Sequence, residues 1–164
     1  MNTLSRSRAR IAQLLPGHRP QLEALLRATA YFRPDEIAVA LEVFDAFCAA
    51  PDTDYSGSAA LNADGALVGY VIYGPTPCTV GTWDIYWIAV APALQRAGVG
   101  SMLIDEVERR LHGRARMILV ETSGQPLYAS TRTFYVRRGF EEVARVPDFY
   151  ADGDDRVILA RRVS

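Results

Sequence analysis

The sequence predicts a single α/β domain spanning residues 1–164, and three features of the chain indicate this fold class. An apolar segment over Gly81–Val90 has the composition of a strand that is covered on both faces. A turn with two glycines, Gln95–Gly100, follows this strand and leads into an amphipathic helical pattern. Two strand-like segments near the end, Phe140–Val146 and Arg156–Arg162, are expected to form an antiparallel pair. Strands that alternate with helices in one short chain are typical of this class.

The N-terminal part of the chain is predicted to form a strand, two helices and a hairpin. The strand ends at Pro16-Gly17, because this pair interrupts regular structure. Both helices carry large apolar residues at helical spacing, and the hairpin turns at Asn62–Gly65. The elements are the strand Arg8–Leu15, the helices Pro20–Thr29 and Asp35–Ala49, and the strands Ser58–Leu61 and Ala66–Tyr73.

The helix after the glycine turn is predicted to be amphipathic, and a strand and a second helix follow it. The strand covers Arg116–Thr122, and the second helix begins after Gln125-Pro126. This helix closes at Gly139, because glycine suits the left-handed position after a helix end. The first helix is expected to have an apolar face of Val99, Met102, Leu103, Val107 and Leu111 and a polar face of Asp105, Glu106, Glu108, Arg109 and Arg110.

The turn at Gln95–Gly100 has the arrangement of an anion-binding site. The first N–H groups of a helix have no partners within it, and the helix dipole adds about half a positive charge there. Glycine carries no Cβ, so a pyrophosphate can approach the main chain closely. The chain contains no lysine and the motif lacks a third glycine, which excludes a phosphate-loop NTPase and a dinucleotide fingerprint. The alternative interpretation is a tight strand-to-helix connection without a ligand.

Two motifs in this order resemble those of the GNAT superfamily, the acyl-CoA-dependent N-acyltransferases. The spacing Gln95-x-x-Gly98-x-Gly100 after a strand resembles the coenzyme A loop of that superfamily. The segment Thr133-Phe134-Tyr135-Val136-Arg137-Arg138-Gly139-Phe140 resembles its second signature, a helix that carries Phe-Tyr and closes at Gly-Phe. The resemblance covers the chain from about Tyr55 to Val163. It implies a mixed, twisted sheet of about six to seven strands flanked by about four helices.

The resemblance also implies that acetyl-CoA is the co-substrate. Its pantetheine is expected to enter a slot between Trp83–Val90 and Met117–Thr122 and to pair with the main chain of the first strand. Its pyrophosphate is expected to lie on the amides from Arg96 to Ser101. The implied coenzyme A contacts are Ile88, Ala89, Val90, Gln95, Arg96, Ala97, Gly98, Val99, Gly100, Ser101, Thr131 and Tyr135.

One position departs from the pattern of the superfamily. Many members place an asparagine seven residues before the tyrosine, where it touches coenzyme A, and here Tyr128 stands at that position. Thr131 or Ser130 is expected to replace the contact. The alternative role of these hydroxyls is to cap the start of the helix.

Acetyl transfer from a thioester to an amine requires two proton transfers. The amine must lose a proton before it attacks, and the departing thiolate, with an intrinsic pKa of about 8.5, takes one up. The resemblance assigns the proton donor to Tyr135, whose alternative role is a core tyrosine with its hydroxyl at the surface. Asp84 is the favoured base, because several members carry a glutamate there, and Glu121 is the second candidate. The alternative for Asp84 is a carboxylate that only orders neighbouring side chains.

The acceptor predicted by the resemblance is a primary amine of a small molecule. A peptide or protein amine is the alternative acceptor, and a non-catalytic acyl-CoA sensor is the alternative function. Family acceptors contact the early helices and the last hairpin, which correspond to Tyr31-Phe32-Arg33 and to residues 147–155. The hairpin aspartates would attract a cationic amine, although aspartates also form ordinary turns. They are Asp148, Asp152, Asp154 and Asp155.

Composition narrows the remaining function classes. The net charge of −1 gives no reason to expect a nucleic acid or an anionic membrane as partner. No apolar run is long enough to span a bilayer, and Met1–Arg10 is too polar for a secretory signal. Cys48 and Cys78 stand in unrelated contexts, which predicts neither a metal site nor a disulfide framework. We therefore expect a cytoplasmic monomer or homodimer without a metal.

Overall fold

The computed structural model describes residues 9–163, within which the chain forms seven strands and four α-helices. Three short 3₁₀ turns, Pro16–His18, Pro92–Leu94 and Pro126–Tyr128, each begin with a proline, whose fixed φ suits a first helical position. The other elements are β1 (Arg10–Gln13), α1 (Arg19–Thr29), α2 (Pro34–Ala49), β2 (Ser56–Leu61), β3 (Leu67–Pro75), β4 (Thr82–Val90), α3 (Val99–Leu111), β5 (Met117–Ser123), α4 (Ala129–Arg137), β6 (Glu141–Ala151) and β7 (Asp154–Arg162).

The strands form a mixed sheet in the order β1-β2-β3-β4-β5-β7-β6. β4 and β5 run parallel, whereas the pairs β1–β2, β2–β3, β5–β7 and β6–β7 are antiparallel. Parallel neighbours need a crossover connection, and α3 lies in the connection between β4 and β5. The predicted α/β class, with a mixed sheet of six to seven strands and four helices, is confirmed.

The described residues group into two compact units. The first unit contains the residues up to Tyr73 together with Trp87–Arg110, and the second contains Gly74–Tyr86 together with the residues from Leu111 onward. The single domain expected over residues 1–164 stays a prediction. The fully buried apolar side chains of the second unit include Ile118, Tyr135, Phe140, Val157 and Leu159.

The core of the first unit forms where α1 and α2 cover β2 and β3. Both helices bury one apolar face, and prolines near their first turns fix the local φ. The residues that make up this core include Leu14, Leu22, Leu26, Ile37, Phe44, Phe47, Ala59, Tyr70 and Ile72.

A glycine in β3 allows α3 to pack closely in the first unit. A Cβ at Gly69 would lie 3.1 Å from Val99 Cγ1 and 3.3 Å from Leu103 Cδ1. It would also lie 3.2 Å from the carbonyl oxygen of Ala89 in β4. Real Cβ contacts are rarely so short, so only glycine fits at this position without movement of its neighbours. Gly69 thereby sets how closely the start of α3 approaches the strand.

The end of α4 in the second unit follows its prediction. Gly139 has a φ of 83°, the left-handed conformation expected after a helix end. The N–H groups of Gly139 and Phe140 donate to the carbonyl oxygens of Val136 and Tyr135, each at 3.0 Å. These bonds satisfy carbonyls that a helix end otherwise leaves without partners. The chain is thereby directed into β6.

β6 extends further than predicted and contains a bulge. Val146 of β6 pairs with Arg156 of β7, and Ala151 pairs with Asp154, so residues 147–150 stand opposite a single residue of β7. Asp148 within this bulge has a left-handed φ of 52°. The prediction ended this strand at Val146, because local composition does not show that pairing resumes beyond a bulge.

Two further predictions need correction. β1 covers Arg10–Gln13 rather than Arg8–Leu15, and Arg8 lies outside the described residues. Glu106 was expected on the polar face of α3 but is only 8% exposed. Arg109 and Arg110 both donate to its carboxylate at 2.8 Å, which compensates the charge and lowers the pKa of Glu106. A helical pattern of single residues does not reveal such compensation.

Candidate active site

The loop between β4 and α3 lies in the first unit and has the geometry of an anion-binding helix start. Met102 N–H donates to the carbonyl oxygen of Gly98 at 3.0 Å, which closes the first turn of α3. The N–H groups of Val99–Ser101 precede this bond and therefore have no acceptor within the helix. Arg96 and Gly98 have left-handed φ values of 67° and 88°, which turn the chain into the helix.

The space beside Gly98 suits a ligand that approaches the main chain. Among the described residues, no heavy atom lies within 4 Å of the position that a Cβ at Gly98 would occupy. An open, left-handed glycine at a helix start therefore offers N–H donors and a positive dipole end to an anion. A pyrophosphate fits these properties.

Two of the predicted coenzyme A contacts, Gln95 and Ala97, make hydrogen bonds within the loop itself. The N–H groups of Gln95 and Ala97 donate to carbonyl oxygens three residues earlier, at 3.3 and 3.1 Å. The side-chain Nε2 of Gln95 donates to the carbonyl oxygen of Val90 at 3.4 Å. Gln95 and Ala97 therefore shape the loop, and the amides of Arg96 and Gly98–Ser101 are the ones suited to a bound anion.

The end of β4 in the first unit carries the predicted pantetheine contacts. The segment Ile88–Val90 is buried at its centre and half-buried at both ends. Ala91 N–H donates to the carbonyl oxygen of Val68 at 2.8 Å, which holds the end of the strand. The rings of Trp87 and Phe32 meet edge to face at 5.3 Å, so an aromatic pair joins β4 to the α1–α2 connection.

Two predicted catalytic carboxylates share one face of the sheet in the second unit. Asp84 of β4 pairs in register with Leu119 of β5, and the ladder ends one pair later at Ile85 and Val120. Glu121 lies two residues beyond Leu119, and side chains at a spacing of two point to the same face. The register therefore brings together the two candidates for the base.

Asp84 has the surroundings of a carboxyl group that can change its protonation state. Its side chain is half-buried, and the hydroxyl of Thr76 donates to Oδ2 at 2.6 Å. Burial raises the pKa of Asp84, and the charge of Glu121 acts in the same direction, against the Thr76 hydroxyl and the charge of Arg156. A raised carboxyl pKa brings the group closer to the pH at which a general base works best.

Glu121 is instead held in an ion pair with Arg156 of β7. The guanidinium carbon of Arg156 also lies 4.7 Å from the ring centroid of Phe149 in the β6 bulge. One cation therefore contacts a carboxylate and an aromatic ring at once. The Glu121 carboxylate is therefore engaged by a guanidinium, whereas the Asp84 carboxylate accepts from a neutral hydroxyl.

Sequence reasoning did not identify Arg156. It is the first residue of a predicted strand, and nothing in its neighbours indicates which strand lies beside it. The antiparallel register pairs Ser123 with Arg156 and Glu121 with Ile158, which makes Arg156 a diagonal neighbour of Glu121 on the same face. The opposite charges of Glu121 and Arg156 could have indicated the ion pair. This indication requires knowing that β5 and β7 are neighbours in the sheet.

Tyr135 is the predicted proton donor and lies in the core of the second unit. Its side chain is 1% exposed and packs edge to face against Phe134 at 5.2 Å and Phe140 at 5.3 Å. The side chain is therefore more deeply enclosed than a core tyrosine that reaches the surface. Burial raises the pKa of Tyr135, which keeps the hydroxyl protonated as a proton donor must be.

The hydroxyls proposed to replace the family asparagine do not act as N-caps. α4 begins at Ala129 with Tyr128 at the N-cap position, and no side chain makes the capping hydrogen bond. Ser130 is exposed and Thr131 is half-buried within the first turn. Ser130 and Thr131 therefore do not cap the helix. A contact of Thr131 with coenzyme A stays a prediction.

Three of the four hairpin aspartates accept hydrogen bonds, two of them from within the hairpin and one from the end of β5. Asp148 Oδ1 accepts from Gly153 N–H at 2.6 Å, and Asp154 accepts from the hydroxyl of Ser123. Asp155 accepts from the main-chain N–H of Asp148 at 3.1 Å and pairs with Arg145 at 3.0 Å. These bonds give the aspartates a structural role in the turn.

Residues 9–163 contain no group of three or more His, Cys, Asp or Glu side chains that could hold a metal ion. Within the same range, no helix is both long and apolar enough to cross a membrane.

Comparisons with known proteins agree on one family. Residues 56–142, more than half of the chain, match the sequence profile of the acetyltransferase (GNAT) domain. A structure from Desulfovibrio desulfuricans that is assigned to the GNAT acetyltransferases superposes with a TM-score of 0.89. Its sequence is 39% identical, and the match covers 96% of this chain and all of that one.

A more distant sequence relative carries an N-acetyltransferase name, and a more distant structure shares the fold. A protein from Methanocaldococcus jannaschii named as an uncharacterized N-acetyltransferase is 24% identical over 99 residues, which are 60% of this chain. The match spans 62% of that relative's length. The structure of an aminoglycoside 6′-N-acetyltransferase complexed with coenzyme A has a TM-score of 0.73 at 18% identity, with 93% of this chain and 96% of that chain covered. At this identity the likeness concerns the fold alone.

Proposed function

Because the chain belongs to the GNAT acetyltransferase family, we propose that it transfers an acetyl group from acetyl-CoA to a primary amine of a small molecule. The observation that carries this proposal is the half-buried Asp84 carboxylate, which Thr76 orients on a sheet face shared with Glu121. A protein that only senses acyl-CoA needs no such base, so the arrangement favours an enzyme.

Donor binding is assigned to the first unit. The amides of Arg96 and Gly98–Ser101 would hold the pyrophosphate, and the Arg96 side chain would add a positive charge beside it. The main chain of Ile88–Val90 would pair with the pantetheine as an added strand does. The N–H of Val90 would then donate to the thioester oxygen as negative charge develops on it.

The chemistry requires one bond to form and one to break. The amine nitrogen attacks the thioester carbonyl carbon, and its proton passes to Asp84, directly or through one water molecule. When the tetrahedral intermediate collapses, the C–S bond breaks and its electron pair leaves with sulfur. Tyr135 donates the proton that converts the thiolate into free coenzyme A. The products are an N-acetylated amine and the thiol.

The choice of Asp84 over Glu121 rests on their partners. Asp84 accepts from a neutral hydroxyl, whereas Glu121 is paired with the guanidinium of Arg156. A proton on Glu121 would cost that ion pair, while a proton on Asp84 leaves its bond from Thr76 intact. We therefore assign proton removal to Asp84 and the positioning of the ammonium group to Glu121.

Asp84→Asn is expected to lower the turnover number by about 10²-fold at neutral pH, the usual scale for positioned proton transfer. The loss should shrink as pH rises, because the free amine is then abundant without a base. The asparagine retains an acceptor for the Thr76 hydroxyl, so the fold should persist. Thiol release from acetyl-CoA, followed across pH, measures both effects.

The parent enzyme should itself lose activity as the pH falls through the raised pKa of Asp84, because the protonated carboxyl cannot accept a proton. Glu121→Gln is the matched control at the neighbouring carboxylate. It should raise the KM for the amine and move the acid limb of the pH profile to lower pH, because the charge of Glu121 no longer raises the pKa of Asp84. A loss in Asp84→Asn that is uniform across pH, or a pH profile that moves only in Glu121→Gln, would contradict the assignment of the base.

Thiol release from acetyl-CoA across a panel of small amines and peptides tests the function as a whole. Release with small primary amines is the expected result. Thiol release only with peptide amines would show that the acceptor is a peptide or protein amine. Binding of acetyl-CoA without thiol release in the presence of any amine would indicate a sensor.

A further inference from the structure

Four adjacent strands of the second unit each place one side chain in a continuous row. The strands follow one another as β4, β5, β7 and β6. They contribute Asp84, Glu121, Arg156 and Phe149, which we call the acid–aromatic row. Register places Asp84 and Glu121 on one face, an ion pair joins Glu121 to Arg156, and Arg156 lies 4.7 Å from the Phe149 ring centroid. The row thus changes from acidic to aromatic along its length.

The exposed aromatic rings of the described residues lie on the two outer strands of this row, β4 and β6. Phe149 is 50% exposed, and the exposed fractions of Tyr150 and Tyr86 are 39% and 37%. The other described aromatic side chains are half-buried or buried. Tyr150 packs against Phe149 at 5.0 Å, and Tyr86 lies two residues beyond Asp84 and so on the same face. Aromatic surface left open beside carboxylates provides contacts for an apolar body that carries a charge.

The charges of the row match a single ammonium group. The carboxylates of Asp84 and Glu121 contribute two negative charges and the guanidinium of Arg156 one positive charge, so one negative charge remains. Two of the hairpin aspartates, Asp148 and Asp155, are held by bonds within the hairpin, and Asp155 is also paired with Arg145. The charge balance therefore favours an acceptor with one positive charge.

We propose that the acid–aromatic row binds a singly charged primary amine with an aromatic body, and that Arg156 is the positioning residue of this site. The proposal rests on the acetyltransferase function and names its acceptor class. The ammonium group lies at Asp84 and Glu121, and the aromatic body extends along the row towards Phe149. Arg156 touches neither reacting atom, but it fixes the carboxylate of Glu121 and the ring of Phe149 in one arrangement.

The first experiment compares three amines with the complete protein and acetyl-CoA. The amines are 2-phenylethylamine, n-propylamine and spermidine, which differ in aromatic body and in charge. We expect kcat/KM to be about tenfold higher for 2-phenylethylamine than for n-propylamine, since aromatic contacts are worth roughly this factor. Spermidine should not exceed n-propylamine. A preference for spermidine, or equal rates for all three amines, would overturn the proposed acceptor class.

The second experiment changes the aromatic end of the row. Phe149→Ala should raise the KM for 2-phenylethylamine about tenfold and leave its kcat unchanged. The KM for n-propylamine should change by less than about twofold. Val143→Ala is the matched control, because Val143 is an exposed apolar residue on the same strand, 57% exposed and outside the row. Equal effects of Phe149→Ala and Val143→Ala would contradict the aromatic contact.

The third experiment tests Arg156 as a positioning residue. Arg156→Met should abolish the preference for the aromatic amine, because Glu121 and Phe149 lose their common partner. Arg156→Lys keeps the charge and should restore a large part of the preference. A purely structural role would lower the rates for both amines equally and would not show this rescue.

The experiments separate this proposal from the function on which it rests. Turnover of several amines without an aromatic preference would overturn the acceptor class and leave the transferase intact. Saturable calorimetric binding of 2-phenylethylamine that is lost in Phe149→Ala, with no thiol release from any amine, would overturn the transferase and support the amine site. Neither binding nor turnover of 2-phenylethylamine would overturn the acceptor class.

Discussion

Gly98→Asp is expected to weaken acetyl-CoA binding by at least about a hundredfold while the protein stays folded. A carboxylate at this position would repel the pyrophosphate and cover N–H donors, and hydrogen bonds to a charged group are worth about 1.5–3 kcal/mol each. The fold should tolerate the change, because the space beside Gly98 is open and aspartate is among the residues that accept left-handed φ. Calorimetric titration with acetyl-CoA measures the effect.

Gly65→Asp provides the matched control for this experiment. Gly65 also lies in the first unit and has a φ of 81°, and no described heavy atom lies within 4 Å of the position that a Cβ would occupy there. It belongs to the β2–β3 hairpin, so the same strain and charge are introduced away from the α3 start. Retained affinity for acetyl-CoA in Gly98→Asp, or an equal loss of affinity in both variants, would contradict pyrophosphate binding at the start of α3.

Tyr135→Phe is expected to reduce turnover by about 10²-fold or more without weakening acetyl-CoA binding. The substitution keeps the ring contacts with Phe134 and Phe140 and deletes only the hydroxyl that protonates the thiolate. The fold should therefore remain intact. Steady-state thiol release gives the turnover, and calorimetry gives the affinity for the donor.

Tyr70→Phe is the control for removal of a buried hydroxyl. Tyr70 is fully buried in the first unit, and its hydroxyl lacks a hydrogen-bond partner among the described residues. Its removal should leave turnover unchanged and stabilise the protein by about 1 kcal/mol, because an unsatisfied buried hydroxyl is costly. If Tyr135→Phe retained the parent turnover, Tyr135 would be a core residue and not the proton donor.

The sequence alone predicts those parts of the fold that depend on local patterns. The glycine turn, the amphipathic α3 and the closure of α4 at Gly139 follow from short-range rules on φ, capping and periodicity, and the structure has them at the expected positions. The hairpin at Asn62–Gly65 follows in the same way. Boundaries near these signals differ by only one or two residues.

The predictions that failed or were missing depend on pairings between side chains or between strands, which the pattern of single residues does not show. The burial of Glu106 requires two arginines on one side of α3 to compensate its charge. The extension of β6 requires its pairing with β7 to resume after the bulge. The ion pair of Arg156 with Glu121 requires the order β5-β7, which periodicity does not contain. These features therefore became visible only with the structure.

The close packing at Gly69 implies a constraint on how this protein can evolve. The space that a side chain at position 69 would need is already filled by the side chains of Val99 and Leu103. The carbonyl oxygen of Ala89 also borders this space, so a larger residue at 69 is not accommodated by one compensating substitution at Val99 or Leu103. Val99 is also the first residue of α3, at the loop assigned to the pyrophosphate. A side chain at position 69 would therefore press on the first helical residue of the loop proposed to hold the pyrophosphate.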